Sequence, residues 1–222
     1  RPTLRQVRER VEVRKETKLL KDSLMFETVV IDDIIPKKEQ SHLHDMIMYH
    51  AQWKFLKDVS GNTKQNFPSY GFVHVLKHPS SDVHPQSEQY DIIAKIFESK
   101  FKEILEYKEI YYNRIFLQLP LAPQFKKQNN GLHVDLPAHL PHVACVYYCN
   151  DSDGDTIIYD QTITDVAGGS QDVVVTEHKR VTPKKGRAVF FDGSRYHCSS
   201  QPTINYRTII NFDLLKVSDA AS

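Results

Sequence analysis

Gly131-Leu132-His133-Val134-Asp135 places a histidine and an aspartate two residues apart. On an extended strand, residues i and i+2 point to the same side, so an imidazole and a carboxylate enter one space. The pair is weak evidence alone. With 11 histidines and 28 acids in 222 residues, about one such pair is expected by accident. Two later residues change its weight. His197 follows the apolar run Ala188-Val189-Phe190-Phe191, and Arg207 stands inside Tyr206-Arg207-Thr208-Ile209-Ile210-Asn211-Phe212. A guanidinium buried among Ile and Phe is costly unless an anion meets it. Where no acid of the chain serves, a ligand carboxylate held by the planar fork does. Two histidines and one carboxylate on one face form the facial donor set of non-haem Fe(II) sites.

Around this constellation the chain changes texture. Short β-rich runs follow one another at 111–119, 142–149, 155–160, 172–177, 186–192 and 206–214, punctuated by Gly, Pro, Asn and Asp. No helix-length periodic segment separates them, which predicts an antiparallel sandwich or barrel. Upstream, Phe26 to Asp33 is a β-branched run, Pro36 opens a helix with Leu43, Met46 and Ile47 on one face, and Tyr70 to Leu76 alternates as a strand. From Ser87 to Leu105, Ile92, Ile93, Ile96, Phe97, Phe101 and Ile104 recur at helical spacing. The fold class expected is α+β, mainly β: a double-stranded β-helix (jelly-roll) core at about 110–214, with N-terminal helices packed on one face. Residues 25–222 read as a single domain. Residues 1–24 carry eight Lys/Arg against four acids and read as a basic, solvated, flexible arm, although Leu4, Val7 and Val11 keep helical spacing.

Composition bounds the function. With 40% hydrophobic and 26% charged residues the chain is globular. A net charge of +1 argues against a protein that holds nucleic acid by bulk charge. The chain has no apolar run of 18 residues, which excludes a membrane-spanning helix from the expectation. Three cysteines without a CxxC pair read as reduced thiols in a cytoplasmic protein.

The stretch from His133 to Phe212 resembles the core of the 2-oxoglutarate- and Fe(II)-dependent dioxygenases, in their prolyl-4-hydroxylase-like branch. His133-Val134-Asp135 matches the family's HxD. Val146-Tyr147-Tyr148-Cys149-Asn150-Asp151 with Asp153-Gly154-Asp155-Thr156 is similar to its strand and turn. Lys185-Gly186-Arg187-Ala188-Val189-Phe190-Phe191-Asp192 is similar to the strand before the distal histidine. Val30 to Glu39 is similar to its entry strand and helix, so the likeness spans roughly residues 26–214. Collagen-type members carry Lys where this chain has Arg207, Asp155 stands for the usual Glu, and the turn has one Gly instead of two.

The resemblance implies Fe(II) held by His133, Asp135 and His197, with 2-oxoglutarate as cosubstrate and O2 as oxidant. Arg207 is implied as the anchor for the far carboxylate, with Tyr148, or its neighbour Tyr147, sharing it. Gln118, on the strand expected to border the pocket together with Asn113 and Arg114, is a further cofactor-binding candidate. The implied reaction hydroxylates a C–H bond and releases succinate and CO2; the substrate expected is a prolyl or other peptidyl residue. Small metabolites and nucleobases stay open as substrates, as does a jelly-roll binding module without turnover. Other residues read plainly. His42, His44 and His50 are partly exposed on a helix, His139 and His142 are solvated, Cys145 and Cys149 are buried, and Trp53 and Phe55 pack a helix. Residues 161–183 form a lid or a long hairpin, and Lys126 to Gly131 a surface loop or a substrate-facing lip.

Overall fold

The computed structural model describes residues 27–59, 69–80, 82, 86–125, 128–165 and 174–217. The expected arm at 1–24 lies outside them, as do residues 166–173 of the expected lid and residues 126 and 127 of the expected lip. Among the described residues, ten strands and two α-helices follow in order: β1 Val29–Ile31, α1 Lys37–His50, β2 Lys54–Leu56, β3 Gly71–Lys77, α2 Tyr90–Ile104, β4 Glu109–Gln118, β5 His142–Tyr148, β6 Thr156–Thr162, β7 Glu177–Val181, β8 Ala188–Asp192, β9 Arg195–Ser199 and β10 Arg207–Leu215. They form a seven-stranded sheet, in the order β1-β8-β5-β10-β4-β3-β2, and a three-stranded sheet, β7-β6-β9. All their pairings are antiparallel. Isolated bridges Asn129–Ser200 and His133–His197 lay the segment before Asp135 along β9 and widen the small sheet. This is the two-sheet jelly roll expected from the sequence.

The alternation of β5 decides the two faces of the large sheet. Cys145 and Tyr147 join a cluster with Phe97, Phe101 and Ile93 of α2, Leu43 and Ile47 of α1, and Phe190 and Phe212. Ala144, Val146 and Tyr148 point the other way, toward Ile158, Val181 and Phe191 between the sheets. The helices therefore cover one face, and the site occupies the other. Phe97 and Phe101 are the centre of that cover: Phe97 contacts Tyr147 at 4.9 Å and Phe212 at 5.0 Å between ring centroids.

Several expectations shift. Of the strand expected at 172–177, residues 172 and 173 lie outside the described residues, and the strand found begins at its last residue, Glu177–Val181. β2 and β9 are additions to the expected set, the latter because Arg195-Tyr196-His197-Cys198-Ser199 has no run of β-branched residues. Phe55 does not pack a helix: it lies 63% exposed on edge strand β2, its ring against Tyr70 and Phe72. His142 is not solvated but buried at the start of β5, its Nδ1 bonded to the Leu140 carbonyl at 2.9 Å. The three cysteines are free and buried. Among the described residues no helix is long and apolar enough to cross a membrane.

Candidate metal and dicarboxylate site

His133 and His197 are brought together by backbone. His133 N donates to His197 O at 3.1 Å and His197 N to His133 O at 3.0 Å. The two rings then lie side by side, tilted 58° to one another with centroids 4.5 Å apart. Each Nδ1 is tied to a nearby carbonyl, His133 to Gly131 O at 2.9 Å and His197 to Arg195 O at 3.2 Å. A carbonyl only accepts, so both Nδ1 atoms carry the proton and both Nε2 lone pairs are free to ligate. Asp135 completes the group: Oδ2 lies 3.3 Å from His197 Nε2, and one ligand atom from each of the three residues lies within 4.8 Å of the others.

The charge states suit a cation. Burial, with His197 alongside, pushes the His133 imidazole down to about 4, so it is neutral at pH 7. Burial acts to raise the Asp135 carboxyl, but the Arg114 guanidinium beside it outweighs this and holds it well below the usual carboxylate range. Arg114 Nη2 donates to Asp135 Oδ1 at 2.6 Å and to Asp213 Oδ2 at 3.0 Å. Asp213 moves oppositely, raised by burial and by the Asp135 charge. Two imidazoles and one anionic carboxylate are a donor set that fits Fe(II).

Arg207 lines the same cavity, a cleft of about 390 Å³, as His133, Asp135 and His197. It is 3% exposed, and its three hydrogen bonds go to neutral oxygens: Nε to Gly154 O at 2.8 Å, Nη1 to Gln118 Oε1 at 3.0 Å and Nη2 to Thr156 Oγ1 at 2.8 Å. Burial works against its charge. Among the described residues no carboxylate lies within ion-pair reach of it, so this cation is buried without an anion. Gln118 Nε2 is buried beside it without a hydrogen-bond partner. Thr156 Oγ1 accepts from both Arg207 and the Tyr148 hydroxyl, the latter at 2.7 Å, which leaves its own proton free for the cavity. The two remaining N–H groups of the guanidinium, the Gln118 amide and the Thr156 hydroxyl are therefore donors left over once these bonds are made, which fits a ligand carboxylate. Gly154 permits this packing, because a Cβ there would lie 3.0 Å from Arg207 Cδ.

The structure thus gathers His133, Asp135, His197, Arg207 and Gln118 around one cavity. Tyr148 stands behind Thr156, on the cavity side of β5, and Tyr147 faces the helices. Asn113 bonds the Asn211 carbonyl and turns away. Sequence reasoning missed Thr156, Asn211 and Asp213 and saw Arg114 only as a pocket neighbour. The signal for Arg114 was the one that exposed Arg207, an arginine inside a strand with Ile115 and Phe116.

No protein-family model matches this chain, and no curated protein matches it. Solved structures do. A 2OG-Fe(II) oxygenase family oxidoreductase from Burkholderia pseudomallei shares 13% identity at a TM-score of 0.62, covering 90% of each chain. A prolyl hydroxylase from Trichoplax adhaerens, in complex with a hypoxia inducible factor peptide fragment, shares 12% at a TM-score of 0.59, covering 97% of this chain and 94% of that one. The epimerase SnoN from nogalamycin biosynthesis, in complex with Fe3+, α-ketoglutarate and nogalamycin RO, shares 9% at a TM-score of 0.62, covering 91% and 84%. At such identities the likeness is one of architecture: this chain has the fold of the 2-oxoglutarate- and Fe(II)-dependent oxygenases.

Proposed function

We propose that the protein is an Fe(II)- and 2-oxoglutarate-dependent dioxygenase that hydroxylates a peptidyl residue, with proline as the leading candidate. The observation that carries this is the shared cavity, in which a His133–Asp135–His197 donor set faces a buried Arg207 without an anion. His133, Asp135 and His197 would hold the metal; Arg207, Thr156 and Gln118 would hold the far carboxylate of 2-oxoglutarate. Bound there, iron supplies the O2 activation that couples decarboxylation of 2-oxoglutarate to oxidation of a C–H bond. The chain's own part is orientation and exclusion of water. Arg207 fixes the cosubstrate by its distal end. Phe116, Val146 and Ile209 wall the cavity between Arg207 and the imidazoles.

Further along the same sheet, the cavity is lined by Leu56 of β2, Val73 and Val75 of β3 and the nearby Val59, all aliphatic. This lining favours an uncharged target group over a nucleotide, whose phosphates need cations. The Trichoplax enzyme's peptide complex supports a peptide as the substrate class. Three buried, unpaired cysteines support a reducing, cytoplasmic setting. The test is succinate release with Fe(II) and 2-oxoglutarate against peptide, amino-acid, metabolite and nucleotide libraries. Stimulation by proline-containing peptides is expected. Stimulation by metabolites or nucleotides alone would replace the substrate, and no succinate under any condition would make the protein a binding module.

A further inference from the structure

The two imidazoles of the cluster are set by the backbone, through the reciprocal bonds of His133 and His197. Asp135 is not. It lies in a bend two residues past the bridge, outside the strands. Its carboxylate is held from across the cavity by two residues of the large sheet. Arg114 Nη2 donates to Oδ1 at 2.6 Å, and Asn211 Nδ2 donates to Oδ2 at 3.1 Å. Arg114 and Asn211 are direct register partners on β4 and β10, so a single rung of the sheet grips both oxygens.

Arg114 is itself fixed. The same Nη2 that reaches Asp135 donates to Asp213 Oδ2 at 3.0 Å, and the guanidinium lies 4.0 Å over the Tyr112 ring. Asp213 is fully buried and the Arg114 side chain is 13% exposed. Stability alone is a poor reason for this arrangement, because buried ion pairs barely recover the cost of desolvation. Its asymmetry points to a different purpose. Oδ1 is turned to the charged Arg114, whereas Oδ2, which accepts only from the neutral Asn211 amide, is the oxygen 3.3 Å from His197 Nε2.

We propose that Arg114, buttressed by Asp213 and Tyr112, is a positioning residue that turns Asp135 so that Oδ2 alone faces the metal. The proposal rests on the metal reading of the cluster. A carboxylate free to rotate can bind through both oxygens and fill a coordination position that a chelating acid needs. With Oδ1 engaged by a guanidinium, that second bond is denied. Partners of metal ligands commonly shift metal affinity 10–100-fold when removed.

The experiment uses the full chain loaded with Co(II), whose visible absorption weakens as coordination number rises. Arg114→Gln removes the cation. Arg114→Lys is the rescue, since one nitrogen makes both carboxylate contacts. Co(II) affinity is measured by chelator competition, and the spectrum is recorded as 2-oxoglutarate is added. For Arg114→Gln the expectation is a 10–100-fold loss of Co(II) affinity, weaker visible bands and a 2-oxoglutarate titration shifted to higher concentration. Arg114→Lys is expected to recover most of the band intensity. Wild-type affinity and spectrum in Arg114→Gln would overturn the proposal. If that variant does not fold, Arg114→Gln/Asp213→Asn removes the cation together with the second acid, and wild-type behaviour in the double variant would overturn the proposal equally. Wild-type protein that binds no Co(II) would instead overturn the metal reading beneath the proposal.

Discussion

Arg207 and Gln118 face each other as register partners on β10 and β4, and Arg207 Nη1 donates to Gln118 Oε1 at 3.0 Å. Four residues further along β10, Asn211 faces Arg114 across the same two strands. One rung carries the donors proposed for a ligand carboxylate and the other grips Asp135. A single pair of strands therefore organises both halves of the candidate site, and its register sets the distance between them.

That arrangement makes Arg207 the most informative position to change. Hydrogen bonds to a charged group contribute about 1.5–3 kcal/mol each. Losing two of them in Arg207→Ala is expected to weaken 2-oxoglutarate by roughly two to four decades while leaving metal binding intact. Arg207→Lys keeps the charge without the fork and is expected to retain part of the affinity. Titration of the Mn(II) form with 2-oxoglutarate reads this directly. Wild-type affinity in Arg207→Ala would remove the cosubstrate assignment.

The metal ligands separate from the anchor by a different readout. His133→Ala and His197→Ala each leave two protein ligands, so stoichiometric Mn(II) or Co(II) binding by the wild type should be lost in both. Calorimetric titration checks the stoichiometry. Full occupancy at wild-type affinity in either variant would show that the cluster holds no ion. Asp135→Asn keeps shape and removes the anionic charge, and is expected to lose affinity as well.

Asp153 ties down the turn that leads into Arg207. It accepts from Thr203 Oγ1 at 2.6 Å and from the backbone N–H groups of Thr203 and Ile204 at 3.0 Å each. Burial acts to raise its carboxyl, but these bonds prevail and lower it. A depressed folded-state value contributes stability above the unfolded value of about 3.9, and that contribution is lost as pH falls through the folded value. Asp153→Asn should therefore be less stable by about 1–2 kcal/mol near pH 6, with the difference closing toward pH 2. Urea unfolding of both proteins across that range is the check. A difference that stays constant with pH would refute it.

Phe97 tests whether the helical layer only supports the site. It is fully buried against Phe101, Tyr147 and Phe212. Phe97→Ala is expected to cost about 3–5 kcal/mol, lowering Tm by roughly 6–20 °C in a chain of this size. Because Tyr147 faces the helices and Tyr148 the site, 2-oxoglutarate affinity of the folded fraction should stay within about threefold of wild type. Calorimetry and ligand titration at low temperature measure the two quantities separately.

Features that rest on local periodicity and on the cost of burial are legible in the chain alone. The spacing of Ile93, Phe97, Phe101 and Ile104 prescribes a helix with one apolar face, because 3.6 residues make a turn. The two-residue period of extended chain pairs His133 with Asp135 in the sequence. In the folded molecule Asp135 lies in a bend past the bridge and reaches the site through Arg114 and Asn211. Arg207 revealed itself because a guanidinium among Ile and Phe demands a partner. Whatever depends on register between distant strands emerges only in the folded molecule. Nothing local marks Arg195 to Ser199 as a strand, yet pairing with β6 and the bridge to His133 make it one and aim His197 at Asp135. Asn211, Asp213 and Thr156 are ordinary polar residues of β-strands until pairing sets Asn211 opposite Arg114, Asp213 beside it and Thr156 beneath Arg207. A side chain's partner across a sheet is chosen by long-range hydrogen bonding, and single-sequence patterns carry no record of it.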